Sequence, residues 1–169
     1  MKKLITAVAT LFVAPLLMAT SADARQPLRG EMELNFNVGF VIQQGCTQVT
    51  WAGTVAIDGE TYGMAFFPTG SRQTGEAFHF DENWVVYEEP FGFDEPGLLT
   101  ECPEGDIVLS GYDSGVTSPN AKYRMSGAVE VAASGFDDWD GRRVHMDGEI
   151  TYDETTGVPL TAPGSFRLN

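Results

Sequence analysis

From Glu31 onward the chain alternates apolar and polar residues with a period of two and has no long stretch of helical period. A period of two sends successive side chains to opposite faces of a strand, so the chain must fold as half-buried β-structure. In EMELNFNVGFVIQ, residues 31 to 43, one face carries Met32, Leu34, Phe36, Val38, Phe40 and Ile42, and the other carries Glu31, Glu33, Asn35, Asn37 and Gly39. In QVTWAGTVAID the apolar set is Val49, Trp51, Val55 and Ile57, with Gly53 in line. Tyr62, Met64 and Phe66 continue it after Asp58-Gly59, a dipeptide that predicts a hairpin. EAFHF, NWVVYEE, DIVLSGY, KYRMSGAVEVA, RVHMDGEITY and SFRLN follow, each bounded by turn-forming residues, which makes eight or nine strands.

Strands without helices to cover them must bury one face against each other, as a closed barrel or as a two-sheet sandwich. Glycine favours the barrel. In Trp51-x-Gly53-x-Val55, Met125-x-Gly127-x-Val129 and Met146-x-Gly148-x-Ile150 a glycine takes an inward position between apolar side chains. Such a glycine weakens a strand unless the strand bends sharply or another group comes close. The expected fold is therefore all-β, a small closed antiparallel β-barrel of about eight strands, with a β-sandwich as the alternative.

The same parity decides the histidines. Val144, Met146 and Ile150 face inward, so His145 points to solvent, and His79, between Phe78 and Phe80, does the same. Neither a serine-histidine triad nor a histidine metal site is expected in the interior. The aspartates of GFDDWDG, residues 135 to 141, lack the spacing of an EF-hand loop. No metal and no cofactor is expected.

The inward positions are rich in aromatic and methionine side chains. An eight-stranded barrel has an interior just wide enough to be filled by such residues or to hold one small ligand. Phe36, Trp51, Tyr62, Met64, Phe66, Tyr123 and Met125 are the candidate ligand-binding residues, and a packed core made of the same residues is the alternative. Parity fails in NWVVYEEP, where both faces are apolar. Whichever of Glu88 and Glu89 faces inward would be a carboxylate at the end of an apolar interior, so these two and Tyr87 are the candidate acid-base residues. The segment EEPFGFDEPGLLTECPEG reads as a long loop whose Phe91, Phe93, Leu98 and Leu99 cover the mouth or pack on the outside.

The amino terminus has the pattern of a secretory leader: Lys2 and Lys3, an apolar stretch, and then Ala22 and Ala24 at the spacing read by a signal peptidase. Cleavage after Ala24 is expected, with residues 25–169 forming one domain exported to the periplasm or the medium. Of 10 basic and 24 acidic residues, the leader holds Lys2, Lys3 and Asp23, which leaves 8 against 23 and a formal charge of −15. Such a surface repels phosphate backbones and anionic lipids, so neither nucleic acid nor membrane is an expected partner. Export and a lone pair of cysteines predict a Cys46–Cys102 disulfide, which would stabilise the fold by about 4 kcal/mol on the chain-entropy model.

In SGFDDWDGRRVHMDGEI, the run Gly135-Phe136, Trp139, Gly141 and Val144-x-Met146-x-Gly148, followed by Gly164-Ser165-Phe166, resembles the closing strands of allene oxide cyclase-like and dirigent-like barrels. The likeness covers roughly the last third of the chain. It implies an eight-stranded antiparallel barrel that holds apolar or phenolic molecules, in some members directing a cyclisation or coupling by shape. No catalytic residue of that family matches a position here. Three functions follow: a ligand-binding barrel, a cyclase or isomerase with a buried polar group in the cavity, and a filled barrel acting as an interaction or inhibitor module.

Overall fold

The computed structural model of the protein describes residues 27–36, 49–94, 98–99 and 101–169. Its alternating segments form β1 (Leu28–Phe36), β2 (Trp51–Ile57), β3 (Glu60–Thr74), β4 (Ala77–Tyr87), β5 (Phe93–Asp94), β6 (Leu98–Leu99), β7 (Ile107–Thr117), β8 (Lys122–Ala132), β9 (Arg143–Glu149), β10 (Thr151–Tyr152), β11 (Pro159–Thr161) and β12 (Gly164–Leu168). One 3-10 turn, Asp137–Trp139, interrupts them. β1, β2, β3, β4, β7, β8, β9 and β12 each pair antiparallel with the next, and β1 pairs with both β2 and β12. That double pairing closes an eight-stranded barrel and leaves no open edge. The sandwich alternative is set aside.

The predicted turn at Asp58-Gly59 is present, both residues having the positive φ of a type I′ hairpin, 52° and 87°. Inward parity runs as expected through Met32 and Leu34, Val55 and Ile57, Met64 and Phe66, Tyr123 and Met125, and Val144 and Met146, all buried. Val38, Phe40 and Ile42 lie outside the described residues. The inward glycines are close-approach positions: a Cβ on Gly53 would overlap the carbonyl oxygen of Glu33, and one on Gly127 that of Tyr112. His145 faces outward, its Nδ1 2.9 Å from the Ser126 hydroxyl on the adjoining strand.

The barrel has two apolar regions. Trp84, Phe166, Met146, Met64 and Val129 fill much of the interior, with the Trp84 and Phe166 rings edge to face at 5.8 Å. A second cluster, Val49, Ala52, Ala65, Tyr87 and Leu99, lies on the opposite face of β2, β3 and β4, with Phe67, Val85, Phe91 and Phe93 packed against it. Phe91, Phe93 and Leu99 therefore pack on the outside of the barrel and do not cover its mouth. Val49 is a correction: it belongs to the outer cluster, because the chain bends at Thr50 and the parity of β2 starts only at Trp51.

Backbone contact at the inward glycines gives a direct test. Gly127→Ala is expected to cost roughly 1–3 kcal/mol or more, since a strand must shift to admit the methyl group. Gly70→Ala, whose Cβ would meet only the Asp81 side chain at 3.5 Å, should stay within about 0.5 kcal/mol in urea unfolding.

Candidate functional site

Parity along β4 places Phe78, Phe80, Glu82, Trp84 and Val86 on the barrel side of the strand, so one carboxylate enters an apolar row. Across the ladder Glu82 pairs with Asp113 of β7, and paired residues of antiparallel strands share a face. Both acids are buried, Glu82 to 5% exposure and Asp113 to 2%.

Glu82 borders a cavity of about 370 Å³ at one end of the barrel. Its buried lining residues are Leu34, Phe66, Glu82, Tyr123, Met125 and Ala162. Phe36, Trp51 and Phe80 are half-buried around it, and the exposed Phe78 and Tyr152 mark its outer limit. The Phe36 and Trp51 rings lie 5.1 Å apart at 60°. Thr50 and Thr117 also reach the cavity, and among the described residues no lysine, arginine or histidine lines it.

Five of the seven expected ligand-binding residues meet here: Phe36, Trp51, Phe66, Tyr123 and Met125. Two do not. Met64 is wholly buried in the filled part of the barrel. Tyr62 stands four residues from Phe66 along β3, about 13 Å at the rise of a strand, and lines a second, more polar hollow with Glu60, Glu88 and Phe136. Its hydroxyl donates to Glu60 Oε2 at 2.8 Å.

The expected acid-base candidates are also corrected. Glu88 and Glu89 are exposed, and Glu88 borders the second hollow. Tyr87 is in the outer cluster, its ring 5.2 Å from that of Phe91. The carboxylate that lines the cavity is Glu82, six residues before Glu88, and counting on by twos from Phe78 and Phe80 finds it in the sequence. Among the described residues no cluster of three or more histidine, cysteine or acidic side chains could hold a metal ion. Asp137 accepts a hydrogen bond from the Gly135 amide at 3.1 Å and so shapes its own turn.

Burial governs the electrostatics of the pair. Loss of hydration pushes Glu82 up to about 8, and the neighbouring Asp113 charge adds to the shift. Asp113 rises to about 7, again through burial first, with a contribution from Asp81. The Thr50 hydroxyl draws Glu82 slightly back down, yet it has no partner at good hydrogen-bonding geometry, so its effect is that of a nearby dipole. Neither oxygen of Asp113 has a hydrogen-bond partner among the described residues. Near neutral pH the pair therefore retains protons that exposed carboxylates have lost. The Tyr123 hydroxyl, also pushed up by burial, reaches the carbonyl oxygens of Ala162 and Pro163 at 3.3 and 3.4 Å. Chemically, the site offers an aromatic enclosure with a proton donor and acceptor on its wall.

Compared with family models, curated proteins and solved structures, the chain matches none of them.

Because both acids have raised values in the folded state, the native protein binds more protons than the unfolded chain between about pH 4 and 8. Their contribution to stability is fully present below the unfolded values and is lost as pH rises through the folded ones. Glu82→Gln and Asp113→Asn should each raise stability at pH 8, by roughly 1–3 kcal/mol. The gain should shrink steadily toward pH 4.5 in thermal unfolding measured across that range. A pH-independent gain would contradict the buried, uncompensated state of the pair.

Proposed function

We propose that the protein is an exported, acidic β-barrel that binds a small molecule with an apolar or phenolic body in the cavity bordered by Trp51, Phe66, Tyr123 and Met125. The observation that carries this reading is the cavity itself. At about 370 Å³ it falls in the size range of small-molecule sites, and its lining is nearly all apolar with a few convergent polar groups, the usual make-up of such sites. The resemblance of the closing strands to allene oxide cyclase-like and dirigent-like barrels points the same way. The filled interaction module is less well supported, since it calls for side chains where the cavity lies.

A cyclase or isomerase is the second reading, and Glu82 favours it. A carboxyl group held near pH 8 beside an apolar cavity suits a general acid, whose best value lies near the working pH. Turnover of a bound ligand, lost in Glu82→Gln while binding persists, would separate this reading from simple binding.

The binding reading is tested by isothermal titration of the mature protein with a panel of substituted phenols and naphthols. Binding is expected, with a change in Trp51 fluorescence. Met125→Trp should reduce affinity at least tenfold by filling the cavity, with only a modest loss of melting temperature. A panel in which nothing binds, combined with a Met125→Trp penalty of roughly 1–3 kcal/mol or more, would favour a packed interior.

Export also bears on the cysteines. Cys102 is not a free thiol, while Cys46 lies outside the described residues. We propose that the two form the bridge expected of an oxidising compartment. Thiol titration of the denatured, unreduced protein should find no free thiol, and two free thiols would rule the bridge out.

A further inference from the structure

We infer that the ligand carries a protonated amine, which enters the cavity ammonium first and meets Glu82 while its apolar body lies among the aromatic rings. This rests on the reading of the cavity as a ligand site and narrows it to one chemical class.

Glu82 is more than nine-tenths buried and borders the cavity, and among the described residues that line the cavity none is basic. Opposite it on β3 stands Pro68, which does not titrate. β7 contributes Asp113, with Gly127 of β8 beyond it in the ladder. Tyr123 and Met125 approach from β8, and Thr50 from the bend just before β2. Asp81, which accepts a hydrogen bond from the Ser114 hydroxyl, adds negative charge beside Asp113. One buried carboxyl group, Glu82, thus borders an aromatic cavity, with Asp113 beside it in the ladder and no basic side chain among the described lining residues.

The class of ligand follows from what the site lacks. A carboxylate or phosphate ligand would add like charge to a low-dielectric site. A neutral ketone or phenol would leave the charge of the pair unbalanced whenever a proton leaves. An ammonium group supplies both a positive charge and N–H donors to a carboxylate that has few. The walls suit the same ion: Phe36, Trp51, Phe66, Phe80 and Tyr152 line the cavity, and aromatic ring faces attract cations. Outside, a net charge of −14 raises the local concentration of cations near the protein. When the ammonium binds, the pair should release a proton, because a nearby positive charge favours the ionised carboxylate.

The test compares 2-phenylethylamine with neutral 2-phenylethanol, alike in shape, by isothermal titration at pH 8 and pH 5.5. The amine is protonated at both. The amine should bind at least tenfold more tightly than the alcohol at pH 8, with proton release visible as a dependence of the heat on buffer ionisation. The preference should fall to within about twofold at pH 5.5 and in Glu82→Gln at pH 8. Unchanged affinity of that variant for the alcohol would show that its cavity is intact. Equal affinity for the two probes at pH 8 would overturn the inference and leave the cavity reading standing. An amine preference that survives Glu82→Gln would also overturn it, placing the ion on the acidic surface. If neither probe binds and the phenol panel also fails, both readings fall together.

Discussion

Closure of the barrel through β1 is the constraint on which the rest depends. Because β1 pairs with β2 on one side and β12 on the other, every long strand has two neighbours, and the backbone groups of the ladder are satisfied without an edge. Closure also leaves a single interior, so the inward set of all eight strands must share one limited space. Gly53 and Gly127 give up their side chains where neighbouring backbones press in, which lets the strands coil tightly enough to close.

Within that space the side chains are unevenly distributed. Trp84, Phe166, Met64 and Met146 pack one part densely. The other end, toward the ends of β1 and β8 marked by Phe36 and Tyr123, keeps open volume. An acid pair of which one member, Glu82, borders that volume is costly, because burial strips hydration from both carboxyls and among the described residues no cation acts on either. Groups retained at such a cost are common at functional sites, where binding or chemistry uses the perturbed state. Glu82 and Asp113 are thus the clearest departure from a barrel optimised for stability alone.

Outside the barrel, the segment after β4 supplies a second layer. Phe91, Phe93 and Leu99 cover Val85, Tyr87 and the small residues Ala52 and Ala65. This covering explains why NWVVYEE shows no clean alternation: both faces of that part of β4 are buried, one in the barrel and one under the loop. A strand buried on two sides reads as a continuous apolar run, and period two then says nothing about which face is inward. The acid-base candidates were drawn from the ambiguous end of that run, whereas the parity set by Phe78 and Phe80 at its unambiguous start leads to Glu82.

By itself, the sequence determined most of the long strands, the inward faces of those that alternate cleanly, the Asp58-Gly59 hairpin and the preference for closure, because alternation and turn chemistry are local and are written residue by residue. Five of the inward residues it singled out border the cavity, since each lies on a strand with one buried face. Three matters needed the tertiary structure. Met64 and Tyr62 share a face with Phe66, yet depth along the barrel separates them into packed core, outer hollow and cavity. The loop after β4 could cover the mouth or the wall, and only packing chose the wall. Glu82 and Asp113 lie thirty-one residues apart in the chain, and only the β4–β7 register sets them side by side, where burial first and neighbouring negative charge second turn two ordinary carboxyls into a proton-holding pair.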